Sequence, residues 1–327
     1  MILDLFKGDM FSLSNMTDAI NTLPNRYDYL TRLGLFATKS INGKTVYIEN
    51  RNGVLGLVPT IAWGGPAIQH KSGKRDVRSF MVPHMPIEDR IAAEEVMGIR
   101  AFGTESELQT VAARVNEKLQ EMKDNIDQTL EYRQMSALKG IILDADGSVM
   151  LNLFTEFGVT LKTISFASGN AKSKTLDIKR NTEDNIRGDR ITGVSVLCSP
   201  EFFDAYTTKG EVEKAFANYQ QAQERIGGDL RNGFTFAGVT FIEYRAQVGN
   251  QRFIDAGDAW AFPLGTTETF RDYVAPADFI ETVNTPGQAY YARQWIDDDN
   301  RGINVHMQAN HLPINLRPAA IARLTVA

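Results

Sequence analysis

The stretch TESELQTVAARVNEKLQEMKDNIDQTLEYRQMSALK, Thr104 to Lys139, decides the fold. Thr104 and Glu107 stand at capping-box spacing, in which the hydroxyl accepts from the backbone three residues on and the carboxylate reaches back. Leu108, Val111, Ala112, Val115, Leu119, Met122, Ile126 and Leu130 recur every three or four positions. That period lays one apolar stripe along one side of a helix, with Glu, Lys, Gln, Asp and Arg on the other. Gly140 closes it. At 1.5 Å per residue the helix is about 50 Å long, too long to be wrapped on all sides by a compact domain, so it reads as a beam lying along a surface. A coiled coil is the alternative, but a strict heptad continued past Ile126 falls on Thr129 and Arg133.

Working outward, both flanks read as strands, an α+β arrangement. Behind the helix, the apolar runs around Asp144-Ala145-Asp146-Gly147 have hairpin chemistry. Strand over Val159–Phe166 and helix over Thr175–Arg187 follow. Ahead of it, residues 45–82 read as a long two-stranded projection, with a turn signal at Asn52-Gly53 and a cationic run His70-Lys71-Ser72-Gly73-Lys74-Arg75-Asp76-Val77-Arg78. An isolated ribbon of this kind is marginally stable in water, which points toward a partner. The cationic run reads as a solvated tip or a set of intersubunit ion pairs, with contact to nucleic acid as the third alternative. Phe80–Ile91, held extended by Pro83 and Pro86, leads into a short helix through Val96. Residues 1–32 read as an extended arm with a short helix over Ser14–Thr22. Its Ile2, Leu5, Phe6, Phe11 and Leu23 need another surface to pack on.

Residues 191–273 read as a second unit. Its elements are strand Val194–Leu197, helices Pro200–Tyr206 and Glu211–Tyr219, a hairpin turning at Ala237-Gly238, and strand Trp260–Pro263. Gly227–Gly233 is a glycine-rich loop followed by a strand rather than a helix, which argues against phosphate binding. Helix over Pro276–Asn284, then strands over Ala289–Ile296, Gly302–His311 and Ala319–Val326, finish the chain.

Chemistry-bearing clusters are few. Asp297-Asp298-Asp299 invites a metal reading, but adjacent side chains of an extended backbone diverge and like charges repel; a solvated turn fits better. His84 lacks a second His or Cys at ligand spacing. Asp144 and Asp146 lack the remaining positions of a calcium loop. His306 and His311 are an odd step apart, on opposite faces of one strand. The single cysteine, Cys198, excludes an internal disulfide and sits in an apolar strand. The formal charge of −5 on 327 residues excludes a surface that grips nucleic acid through overall positive charge. Neither a secretory leader nor an apolar run of about 18 residues is present, so export and membrane insertion are not expected. No catalytic residue, cofactor or metal is expected.

With Leu33-Gly34-Leu35-Phe36, Leu57-Val58-Pro59, Arg78-Ser79-Phe80, Pro83-His84-Met85-Pro86, Ile99-Arg100-Ala101-Phe102-Gly103 and Leu316-Arg317-Pro318-Ala319-Ala320-Ile321-Ala322, the chain resembles the major capsid protein E family of tailed bacteriophages, the group of the lambda head protein. The resemblance runs along nearly the whole chain and rests on the order of short motifs. It implies the Hong Kong 97-type phage capsid fold, with an N-terminal arm (1–32), an extended loop (33–82), a peripheral domain (83–190 and 275–327) carrying the spine helix 104–139, and an axial domain (191–274). The implied function is a shell of hexamers and pentamers closing into an icosahedral head round double-stranded DNA, first as a procapsid and then as an expanded particle.

On that reading the arm and loop lie over neighbouring copies, and Leu5, Phe6, Phe11, Trp63, Lys71, Lys74, Arg75 and Arg78 are the expected intersubunit contacts. Expected partners are further copies of itself, a separate scaffolding protein (no long propeptide precedes the arm), a portal, a decoration protein, and DNA through weak non-specific contact. The place is the virion, with assembly in the host cytoplasm. Some members of the wider fold weld a loop Lys to a neighbour's Asn. Lys71 and Lys74 lie on such a loop, yet the lambda-like group is expected to form no crosslink. Two alternatives stay open: a nanocompartment shell of the encapsulin kind, and a metal-dependent hydrolase using Asp297, Asp298 and His306.

Overall fold

The computed structural model describes residues 13, 16, 17, 20, 29–51, 75–96, 111–226 and 231–326. Its centre is the helix Val111–Lys139, about 44 Å long at 1.5 Å per residue. Val115, Leu119, Met122, Ile126 and Leu130 form its buried stripe, as their spacing requires. They pack on Ile91, Ala292, Val305, Met307 and Ala309 of a three-stranded antiparallel sheet in which Gly302–Ala309 lies between Tyr291–Ile296 and Met85–Ala92. Pro86 is tolerated because its strand is an edge. Gly140 ends the helix at φ +85°, with the Phe154 ring 2.6 Å from where a Cβ would stand. The Thr104–Glu107 capping box lies outside the described residues.

The opposite side of the helix departs from the expected solvated beam. From Leu130 to Leu138 every residue is buried. Sheets cover this end from more than one side, and charged groups caught there find partners. Glu131 accepts from the Leu30 amide (3.1 Å) and the Tyr244 hydroxyl (2.8 Å), and Arg133 pairs with Asp144 at 2.7 Å. Lys123 and Asp127, 2% and 0% exposed, face each other at 3.0 Å one helical turn apart.

A six-stranded mixed sheet runs in the order Lys162–Ser165, Ala322–Thr325, Asp258–Leu264, Gly193–Cys198, Val239–Glu243, Asn232–Phe236. Val194, Val196 and Cys198 face helices Ala171–Asn185, Pro200–Thr207 and Gly210–Ile226 through Ile178, Phe202, Tyr206 and Val212. Leu197, Trp260 and Phe262 face Tyr132, Met135 and Leu138 of the long helix. A strand covered on both faces reads as a continuous apolar run, which is why Val194–Leu197 stood out in sequence. Cys198 is buried at its end, and burial pushes its thiol pKa up. The hairpin turns at Ala237 and Gly238, φ +50° and +80°, the positive-φ pair that a two-residue turn requires. Lys162–Ser165 and Ala322–Thr325 join this sheet from segments outside 191–274, whereas Phe270–Val274 leaves it and lies between Ala37–Ser40 and His311–Asn315 in a three-stranded sheet.

Three expected elements differ. Pro276–Asn284 holds only one 3₁₀ turn, Ile280–Thr282. The Thr282 and Thr285 hydroxyls bond nearby carbonyls instead of allowing a helix to propagate, and Asn284 sits at φ +61°. Gly302–His311 breaks at Asn310, whose amide donates to the Pro276 carbonyl at 2.8 Å, so His306 and His311 lie on strands of different sheets. Ala319–Val326 begins as the 3₁₀ turn Pro318–Ala320 and extends only over Ala322–Thr325.

Asp189 staples the loop ahead of the Phe270 strand. It accepts from the Thr267 and Glu268 amides (3.2 and 2.9 Å) and from the Thr267 and Thr269 hydroxyls (2.8 Å each). Desolvation raises its pKa, but these donors outweigh it and hold the carboxyl well below the usual range. A depressed folded value means stability present above the unfolded pKa of about 3.9 and lost as pH falls through the folded one. Asp189→Ala should cost about 2 kcal/mol at pH 7, with the deficit shrinking in acid; urea melts of both chains at pH 7 and 3 check this.

Candidate intersubunit surface

Thr45–Arg51 pairs with Arg75–Met81 in antiparallel register, Thr45 opposite Met81 and Arg51 opposite Arg75. Arg51 pairs with Arg75, so residues 52–74 connect the two strands; the turn expected at Asn52-Gly53 lies outside the described residues. The pleat divides the ribbon into two unlike faces. Val46, Ile48 and Phe80 point inward onto Ala137, Ile142, Leu153, Leu312 and Ile314. The expected free projection is thus anchored at its base on its own body, because apolar side chains at alternate positions meet the end of the long helix.

The other face carries Tyr47, Val77 and Met81, 71, 54 and 76% exposed. In register, Tyr47 sits opposite Ser79 and Val77 opposite Glu49, so the three form one apolar row held rigid by the inner face. Among the described residues no third strand pairs with this ribbon, and an exposed row of large apolar side chains is the kind of surface that marks an interaction site. The alternation Val46-Tyr47-Ile48 and Val77-Arg78-Ser79-Phe80-Met81 carried this signal.

Of the residues expected at contacts, Leu5, Phe6, Phe11, Trp63, Lys71 and Lys74 lie outside the described residues. Arg75 is placed by its backbone as the rung opposite Arg51. Arg78 shares the inner face, its guanidinium 5.3 Å from the Phe157 ring centroid of its own chain. In the arm, residues 13, 16, 17 and 20 are helical, within or next to the expected Ser14–Thr22 helix. Met16 and Ile20 pack on the long helix's stripe, and the Thr17 hydroxyl accepts from the Ala292 amide at 3.3 Å. That part of the arm packs on its own chain.

The chemical clusters resolve into structural pairs. Asp297 binds Arg90 (2.6 Å) and Asn304, while His306 meets Glu88 at 2.8 Å, so these two of the three residues of the hydrolase reading serve different partners. His84 Nδ1 stands 2.9 Å from Asn310 Oδ1 and holds the strand break. Among the described residues no group of three or more His, Cys, Asp or Glu side chains could hold a metal, and no helix is long and apolar enough to cross a membrane.

Known proteins of similar sequence and shape agree with a role in a shell. The chain is 27% identical to the major capsid protein of Pseudomonas phage KPP10, covering 96% of each chain, and 27% identical to that of Salmonella phage Felix O1, covering 94% of each. In shape it matches the crystal structure of a prophage capsid protein from E. coli CFT073 with TM-score 0.58 at 11% identity, over 96% of this chain and 99% of that one. An encapsulin from Synechococcus elongatus matches with TM-score 0.50 at 10% identity, over 93% and 90%. The fold is therefore the Hong Kong 97-type capsid fold. The family model of phage major capsid protein E matches residues 12–326, nearly the whole chain, and the chain belongs to that family.

Proposed function

We propose that this chain builds the icosahedral head of a tailed phage, its copies joining in hexamers and pentamers round double-stranded DNA. The observation that carries the reading is the rigid apolar row Tyr47, Val77 and Met81, left uncovered by the subunit that anchors its other face. Residues 1–32 act as arm and 33–82 as the loop that overlies a neighbour, with Leu5, Phe6, Phe11, Trp63, Lys71, Lys74 and Arg75 added to the contact. Residues 83–190 and 275–327 form the peripheral domain and 191–274 the axial one, the six-stranded sheet joining the two through Lys162–Ser165 and Ala322–Thr325. The role is structural rather than enzymatic. Weak contacts to many neighbours add through effective concentration, and a net charge of −5 keeps the wall from gluing itself to DNA. A scaffolding protein, a portal and a decoration protein complete the particle, which is assembled in the host cytoplasm.

The test is electron microscopy of the full chain co-expressed with its scaffolding protein, followed by nuclease treatment of particles from infected cells. Closed shells that protect DNA support the proposal. Shells holding protein cargo and no DNA would support the nanocompartment reading, and a chain that stays monomeric would end both.

A further inference from the structure

His311, buried at the start of the strand His311–Asn315, has both its ring nitrogens facing acceptors. Nδ1 lies 2.7 Å from Asp272 Oδ2, and Nε2 lies 2.8 Å from the Ala289 carbonyl oxygen. A carbonyl only accepts and an ionised carboxylate only accepts, so a neutral imidazole, with one N–H, satisfies one of the two. The Asp272 side chain is itself buried, and its Oδ1 has no hydrogen-bond partner among the described residues. An ionised carboxylate so placed needs a positive charge beside it.

We propose that His311 is a fixed imidazolium in the folded chain, and that the proton distinguishing it from the neutral ring latches the strands Phe270–Val274 and His311–Asn315 to the long helix, so that the fold loosens as pH rises. The latch reaches the helix through the residue next to its second acceptor. Tyr290 donates its hydroxyl to Asp127, Asp127 pairs with Lys123 at 3.0 Å, and the Lys123 ammonium stands 4.8 Å from the Tyr290 ring centroid. The charged and titratable groups facing His311 are therefore Asp272 from its sheet, Tyr290 from the connecting segment, and Asp127 with Lys123 from the helix. Desolvation pulls the His311 pKa down, but Asp272, the Ala289 carbonyl and Asp127 together raise it above the ordinary value. A raised folded pKa gives a contribution present in full below the unfolded value of about 6.5 and lost as pH climbs through the folded one.

The test compares the full chain with Asp272→Asn, whose side-chain amide can donate to Nδ1 and so lets a neutral His311 satisfy both contacts. Between the two pKa values the wild-type folding constant should fall by about tenfold per pH unit, while the variant's titration there should be flat. Identical slopes for the two chains would overturn the proposal. Should Asp272→Asn fail to fold, ¹⁵N spectra of labelled wild-type chain at pH 7.5 decide it. Two protonated ring nitrogens on His311 support the latch, and one protonated with one bare nitrogen overturns it.

Discussion

Replacing Tyr47, Val77 and Met81 together by aspartate is expected to leave a folded, soluble chain that forms no closed shells. All three side chains stand in water on the outer face of the ribbon, and exposed substitutions of this kind usually move stability within about 0.5 kcal/mol each. In a shell the same three side chains would be covered. Burying each is worth about 1.5–3 kcal/mol, and a carboxylate in its place brings an unpaired charge into the contact. Small losses multiply, because every copy carries the defect and closure needs all of them. Thermal melts should match the wild type while micrographs and sedimentation show only small species. Normal particles from the triple variant would sink the assignment of this face. Arg78→Glu makes a contrast: with its guanidinium over Phe157 on the inner face, that change injures the subunit itself and lowers its melting temperature before assembly is reached.

The second large effect lies in the buried middle of the long helix. Lys123→Met removes the cation from Asp127 and leaves that carboxylate, 0% exposed, with Tyr290 as its remaining partner. Breaking a buried pair from one side typically costs about 3–5 kcal/mol, whereas replacing both members by apolar groups of similar volume is often neutral. Lys123→Met should therefore be severe, and Lys123→Met with Asp127→Leu and Tyr290→Phe should recover most of the loss. The third change is included because Asp127→Leu takes away the carboxylate to which the Tyr290 hydroxyl donates. Denaturant midpoints of the three chains measure this; a triple variant no better than the single one would show that the loss does not come from the uncompensated charge.

These two sites mark where the sequence was legible and where it was not. The stripe from Val115 to Leu130, the doubly buried strand at Val194–Leu197 and the Ala237-Gly238 turn were readable because each is a local pattern with one physical cause. The buried polar side of the helix was not. Lys123, Asp127, Glu131 and Arg133 look like an ordinary solvated face until Tyr290, Leu30, Tyr244 and Asp144 arrive from 11 to 163 residues away along the chain. Long-range burial leaves no mark on helical spacing. The ribbon was half legible: alternation placed its strands, but the register of Thr45–Arg51 against Arg75–Met81, set across the connecting residues 52–74, leaves no local mark. The loss of the Pro276–Asn284 helix follows from Thr282 and Thr285 bonding their own neighbours, a competition that apolar periodicity does not register.

Hydroxyl-radical labelling of closed particles, set beside the same chain dissociated in mild denaturant below its unfolding transition, tests the shell account most directly. Oxidation of Met81 and Tyr47 should drop several-fold in particles while the inner-face Phe80, already 5% exposed in the single chain, stays protected in both. Equal reactivity of Met81 and Tyr47 in the two states would mean that no neighbour covers the ribbon and would contradict the account.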